Sequence, residues 1–319
     1  MYVLRVFSIF VIFIAVEGTN CGDTYTGTYG EISSPLYPEN YPGNTTCMWK
    51  ITVPEESRVS VKFRSFDFYC PHDYLEIYLD GTGDEVHDRL CGSNYYTLLS
   101  EANSMLLMFV SDSNLSGKGF HLIWRAVELV SRGKPTKQSS VLVVAGDPRG
   151  SDLAVDGDPN PFFNSGSCTH THNDFEPWWT VDLEKAYAVQ FVDIVNRESA
   201  AERLTNAVVH IGMNPTPHSV NPRCGSTVSA ESILLSTNIR VECNELMYGR
   251  YVSVCVVGRN EYLTLCEVEV FGINLISSPE TTVDCSYSPG PCDIPATDCS
   301  IPNFEWPSCS KYLLLVSWL

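Results

Sequence analysis

Positive charge is what this chain has little of: 20 Lys and Arg stand against 38 Asp and Glu, a formal net charge of −18. So acidic a surface repels nucleic acid and heparin-like polyanions, which removes both from the expected partners. Long apolar runs are equally scarce. Beyond the N-terminal segment no stretch approaches the roughly 20 apolar residues of a membrane helix, so no membrane span is expected. Catalytic motifs are missing too. Neither His-Glu-x-x-His nor Gly-x-Ser-x-Gly occurs, so neither a zinc nor a serine hydrolase is expected, and the chain reads as non-catalytic. A paired-carboxylate glycosidase site is a matter of three-dimensional separation, and no sequence feature points to one. No long helical period runs through the chain.

Cysteine, by contrast, is plentiful, with 13 residues, which suits disulfides formed in an oxidising compartment. Met1 to Gly18 carries one basic residue, Arg5, then an apolar run from Val6 to Val16 and a small residue at Gly18. That is the pattern of a secretory signal peptide over 1–18, so a secreted, extracellular protein is expected. The sequons at Asn44 and Asn114 agree with that route and are expected glycosylation sites. A length of 319 residues suggests roughly two domains.

The regular patterning is of period two. Val59, Val61 and Phe63 alternate with polar neighbours, and Leu75, Ile77 and Leu79, then Val252, Val254 and Val256, then Val268 and Val270 repeat it. Turn clusters such as Pro38-Glu39-Asn40-Tyr41-Pro42-Gly43 and Asp156-Gly157-Asp158-Pro159 lie between. Short alternating strands in a secreted chain predict an all-β protein of two tandem β-sandwiches. From about Ile276 the chain turns Pro-, Ser- and Thr-rich and carries Cys285, Cys292, Cys299 and Cys309. This 275–319 tail reads as a linker or a small stapled module. Its apolar Tyr312–Val316 run is too short for a span.

The first sandwich has specific words. Tyr29-Gly30-Glu31-Ile32-Ser33-Ser34-Pro35 leads to Pro38-Glu39-Asn40-Tyr41-Pro42, Cys70-Pro71-His72-Asp73-Tyr74-Leu75-Glu76-Ile77, Cys91-Gly92 and Phe109-Val110-Ser111-Asp112. Over 21–127 this resembles a CUB domain, a jelly-roll-like sandwich that serves as an interaction module for protein ligands. The resemblance implies the disulfides Cys21–Cys47 and Cys70–Cys91, each worth roughly 2–5 kcal/mol. It also implies a calcium held by the Tyr29 carbonyl with Asp73 and Asp112. The glutamate usual before the third cysteine is absent, because Phe66-Asp67-Phe68-Tyr69 is shortened, and calcium prefers six to eight oxygens.

The second region holds Gly166-Ser167-Cys168-Thr169-His170, Pro177-Trp178-Trp179-Thr180-Val181-Asp182-Leu183, Asn196-Arg197 and Glu202-Arg203-Leu204. Two guanidinium groups and an imidazole at the rim of a β domain make a donor surface suited to vicinal hydroxyls on a neutral ligand. Arg132-Gly133-Lys134-Pro135-Thr136, Asn221-Pro222-Arg223-Cys224, Gly249-Arg250-Tyr251-Val252 and Leu265-Cys266-Glu267-Val268 complete the pattern. Over 128–274 the chain resembles the F-type, fucose-binding lectins, in which a His is followed after twenty-six residues by an Arg and soon by a second Arg. The resemblance implies a discoidin-like jelly roll that binds fucosylated glycans through His170, Arg197 and Arg203, all donating, with Phe163 against the sugar's methyl group. It implies bridges Cys168–Cys266 and Cys224–Cys243. It implies a structural Ca2+ held by Asp156, Ser167 and Glu267 with the carbonyls of Leu153, Asp158 and Cys266.

The chain departs from that pattern between the arginines. Glu198-Ser199-Ala200-Ala201 stands where the family often has adjacent cysteines, is one residue shorter and lacks the usual aspartate, which bears on the placement of Arg203. Cys255 has no partner in this scheme. Thr169-His170-Thr171-His172 contains a His-x-His, but no third zinc ligand is placed by spacing. Trp178 and Trp179 are expected to pack in core and edge. The reading is thus a calcium-stabilised lectin for terminal L-fucose, whose weak single sites would gain avidity in a homo-oligomer. The alternative is a CUB-led adhesion protein whose lectin fold is a degenerate scaffold.

Overall fold

The computed structural model describes residues 21–93, 96–216 and 220–274. The signal peptide expected over 1–18 and the four tail cysteines lie outside these residues. The described part is a nearly all-β protein, as the alternating patterns predict, and it divides into two compact units between Ala126 and Val127.

In the first unit one sheet runs in the order Gly22–Thr26, Thr46–Thr52, Ser104–Val110, Tyr74–Tyr78, Asp88–Leu90. The other layer joins Tyr29–Ser33, Gly119–Leu129, Arg58–Asp67 and Leu98–Leu99. Side chains alternating inward from both layers make the core: Val59, Val61 and Phe63 meet Leu75, Ile77, Leu107 and Phe109, with Trp49 edge-on to Phe120 at 5.2 Å. Ser60, expected on the wet face, is buried as well. Gly30 lies opposite Trp124 in the strand register, and a Cβ there would stand 2.6 Å from the indole, so only glycine lets the ring lie flat on that strand. Cys21–Cys47 and Cys70–Cys91 are both bridged.

The second unit is built on two long strands, Trp178–Val195 and Asn238–Val256, which pair antiparallel. Register shifts between Asp182 and Tyr187 and between Val189 and Phe191 break the first into two working halves. Its early half also pairs with Thr136–Gln138, and its late half with Glu267–Ile273. One strand thereby serves both layers of a sandwich. Ala207–Gly212 and Arg223–Cys224 extend the sheet beyond Asn238–Val256. The core is aliphatic, with Trp179, Val181, Val192, Ile194, Val252, Val254, Val256, Val268 and Val270 almost wholly inaccessible. Trp179 is core as expected, its indole N–H donating to the Ser151 carbonyl at 2.9 Å. Cys255 is buried on the opposite strand face. Cys168–Cys266 and Cys224–Cys243 are bridged.

Candidate functional site

At one end of the second unit, irregular segments from four parts of the chain converge. The segment Thr169-His170-Thr171 is extended, so its two threonines face one way and His170 the other. Thr169 donates its N–H to the Leu265 carbonyl at 2.8 Å and its hydroxyl accepts from the Leu265 N–H at 3.0 Å. Thr171 repeats both bonds with Leu263, at 3.1 and 2.9 Å. The bridge from Cys168 to Cys266 locks the same two segments covalently. On its other side the His170 N–H donates to the Arg149 carbonyl at 3.2 Å, and its carbonyl accepts from Leu142 at 2.8 Å. His170 is therefore held on both flanks and is 5% exposed.

Arg203 comes from the short 3-10 turn Ala201–Leu204, entered through Ala200 at φ +58°. Two side chains fix that turn. Asn196, buried at the end of its strand, donates Nδ2 to the Ala201 carbonyl at 2.9 Å, and Arg259 donates Nη2 to the carbonyls of Arg203 and Thr205, both at 2.9 Å. Arg203 Nη1 then stands 3.5 Å from His170 Nε2, and its guanidinium lies 4.7 Å from the Tyr262 ring. Arg197 lies 4.2 Å over the Phe163 ring, and its Nη2 donates to the Ser199 hydroxyl at 2.7 Å. Serine at the departing position thus steers an arginine. Phe163 and Tyr262 both meet the imidazole edge-to-face, at 5.3 and 5.4 Å. The structure so brings His170, Arg197, Arg203 and Phe163 to one wall and adds Tyr262 to it.

The polarity of His170 differs from the expectation that all three groups donate. Its Nδ1 stands 2.6 Å from the Thr171 carbonyl, and a carbonyl only accepts, so the proton is on Nδ1. Burial holds the imidazole below its ordinary pKa, against the pull of the Thr171 carbonyl, and Arg203 and Arg197 push the same way. A neutral ring leaves Nε2 as an acceptor, with Arg203 Nη1 as its donor at 3.5 Å. The site is thus an acceptor between two donors.

Sequence reasoning missed Tyr262, Arg259 and Asn196. Each is distant in sequence from the His170 segment it supports, and only Asn196, beside Arg197, had a neighbouring signal.

Beneath this wall lies the Asp156-Gly157-Asp158 turn. Asp156 Oδ1 accepts from the Asp158 N–H at 2.8 Å, Asp158 Oδ1 from the Asn160 N–H at 3.2 Å, and Glu267 Oε2 from the Gly157 N–H at 3.1 Å. Ser167 donates its hydroxyl to the Asn160 carbonyl at 2.6 Å. Leu153 sits in the 3-10 turn Ser151–Ala154, and Cys266 is tied by its N–H to the Val195 carbonyl. Glu267 is 2% exposed, and burial pushes its acid up to about 7 against the pull of the Gly157 N–H, with Asp156 adding to the rise. A buried carboxylate that repels a neighbouring carboxylate is short of a cation. The residues present here fit a calcium: hard oxygens, two of them carboxylate, on a tight turn.

The first unit does not assemble the corresponding set. Tyr29, expected to offer its carbonyl, lies in the strand register opposite Arg125, and its phenol donates to Glu31 at 2.6 Å. The tyrosine that reaches Asp73 is Tyr41, whose phenol donates to Oδ2 at 2.6 Å while the Asp112 N–H donates to Oδ1 at 2.8 Å. Burial, with Asp73 beside it, raises the Tyr41 phenol to about 12. Asp112's own oxygens accept from Asn114 N–H and Nδ2, both at 2.7 Å, which holds its carboxyl below the usual range. With donors on all four carboxylate oxygens and no glutamate, Asp73 and Asp112 form a hydrogen-bonded pin that does not fit a calcium. Among the described residues no three His, Cys, Asp or Glu side chains are grouped for a metal, zinc at His170 and His172 included. Asn44 and Asn114 are both exposed.

The comparisons with known proteins divide the chain in the same way. Residues 21–124 match the CUB domain model, and residues 153–254 match the model described as a NedA-like, galactose-binding domain. Fucolectin-6 of Anguilla japonica is 43% identical over 118 residues, covering 37% of this chain and 60% of that protein. Procollagen C-endopeptidase enhancer 2 of Homo sapiens is 36% identical over 118 residues, covering 35% of this chain and 28% of that protein. A solved Streptococcus pneumoniae fucose binding module is 33% identical, covering 45% of this chain and 94% of its own, with a TM-score of 0.38. The chain spans less than two thirds of the length of either curated relative. These matches are to lectins and to binding domains, not to enzymes.

Proposed function

From a chain that joins a CUB domain to a galactose-binding, F-type-lectin-like domain, we propose a secreted, calcium-stabilised lectin that binds terminal L-fucose on glycans and presents its CUB domain to a protein ligand. The observation that carries the reading is the 3.5 Å approach of Arg203 Nη1 to His170 Nε2 beside Phe163. One sugar hydroxyl placed between them donates to the imidazole lone pair and accepts from the guanidinium. Arg197 donates to the neighbouring hydroxyl or ring oxygen, and the fucose methyl packs on Phe163. An acceptor flanked by donors suits vicinal hydroxyls better than three donors would, since each hydroxyl both gives and receives.

Calcium, when bound, would be held by the carboxylates of Asp156 and Glu267, by Ser167, and by the carbonyls of Leu153, Asp158 and Cys266. It supplies positive charge to a turn that otherwise buries acid. Glu267 follows Cys266, which is bridged to Cys168 two residues before His170, so order at that turn is passed to the sugar wall. A homo-oligomer would multiply weak sites.

The test is competition on a fucosylated surface by free L-fucose against free galactose. Preferential release by fucose is the expected result. Equal competition by galactose would remove the fucose site and leave CUB-led adhesion in its place.

A further inference from the structure

Arg149 follows the short strand Asp147–Pro148, which pairs with Val143–Val144. Its carbonyl accepts from His170 N–H at 3.2 Å and from Gln138 Nε2 at 3.0 Å, so it is fixed to the residue at the centre of the sugar wall. Its side chain is only 8% exposed. The guanidinium lies 5.2 Å from the Phe163 ring, and Nη1 is 3.0 Å from where a Cβ on Gly166 would stand, so it is aimed into the turn that carries Phe163. Nε and Nη1 have no hydrogen-bond acceptor. The nearby carboxylate of Asp147 is 3.5 Å from Nη1 and 65% exposed, too long for a good hydrogen bond and screened by water. Arg197 stands over the same Phe163 ring. A buried guanidinium with unfilled donors is destabilising until an acceptor, best an anion, reaches it.

We infer that Arg149 is an anion subsite beside the fucose site, taking a sulfate ester or a carboxylate carried by the sugar to which fucose is joined. The inference rests on the fucose reading. Both groups present planar or near-planar oxygen pairs that guanidinium matches. Nη1 is closed to solvent beneath Gly166, so an anion reaches the guanidinium only where that turn, without a Cβ at Gly166, yields to it. A neutral glycan fills the fucose wall and leaves Arg149 unanswered.

The experiment measures the full chain, with calcium present, against three probes: a neutral fucosylated trisaccharide, the same with a sulfate ester on its galactose, and the same with a terminal sialic acid. The expected result is that at least one acidic form binds about tenfold tighter, with an advantage that shrinks as salt rises. The arm that gains identifies sulfate or carboxylate. Arg149→Gln should erase the advantage while keeping the neutral trisaccharide within about twofold, which also reports on folding. Should that variant fail to fold, Asp147→Asn, at an exposed position, should enlarge the advantage at low salt by removing a carboxylate that repels the incoming anion. Equal wild-type affinity for all three, an advantage that survives Arg149→Gln, or no change with Asp147→Asn overturns the inference alone. Failure of all three to bind overturns the fucose reading and the inference with it.

Discussion

On the proposed fucose reading, Arg197 and His170 would contribute to sugar binding by different physics, and single substitutions separate them. The Arg197 guanidinium is half-buried over Phe163, and burial, then Arg203, holds its pKa down. A charged donor to a ligand contributes roughly 1.5–3 kcal/mol, so Arg197→Ala should weaken fucose binding by about ten- to a hundredfold, read by surface competition, with an unchanged melting curve. His170 must stay neutral to accept. Burial holds its pKa in the folded state below the ordinary 6.5, so binding should hold at pH 6.5 and fail only at more acid pH. The same shift sets a stability slope: the contribution is fully present above 6.5 and is lost as pH falls toward the depressed value, because the unfolded chain takes the proton first. Binding isotherms from pH 7.5 to 4.5 check this, and a midpoint at or above 6.5 would refute it. These residues were visible in the sequence because their spacing is a local word. Tyr262 and Arg149 were not. What makes either matter is a contact across the fold, and no window around Tyr262 or Arg149 contains it.

Two pieces of irregular chain, the Thr169–Thr171 segment and the Asp156–Asp158 turn, decide whether the wall keeps its form. Each threonine hydroxyl fills a buried leucine N–H, and leaving such a donor unmet costs about 1–3 kcal/mol. Thr169→Val should lower stability by that amount in denaturant titration, more than its small change in volume would. The turn behaves oppositely to His170 with pH. Glu267 is raised from 4.5 to about 7, so without calcium its contribution is present below 4.5 and is lost as pH rises through about 7. Calcium needs the ionised form, so its stabilisation should grow over the same interval. Melting temperatures at pH 5, 6 and 7.5 in calcium and in EDTA should diverge with pH, and coincident curves at every pH would remove this ion site. At this scale the sequence was legible where strands alternate, as in Val252, Val254 and Val256. It was less so in the first unit, where Tyr29 and Tyr41 both sit in conserved-looking words. Only the fold shows that Tyr41 is the one whose phenol reaches Asp73.

Each unit has its own core and its own pair of disulfides, and distant sites with no shared partners act nearly additively. Asp73→Ala should therefore unpin Tyr41 and Asp112 and destabilise the first unit, yet leave fucose affinity within about twofold. A larger loss by titration calorimetry would mean the two units are coupled. The tandem all-β architecture was readable from composition and period, since a cysteine-rich chain without helical periodicity has few other solutions. The bridge between Cys168 and Cys266 has a further consequence, for the order of events during synthesis. It spans 98 positions, and the strand beyond it pairs through Phe271 with Leu129 near the start of the unit. A nascent chain that has made His170, Arg197 and Arg203 still lacks the segment that holds them. On the fucose reading, sugar binding would therefore be the last property the second unit acquires as its chain is made.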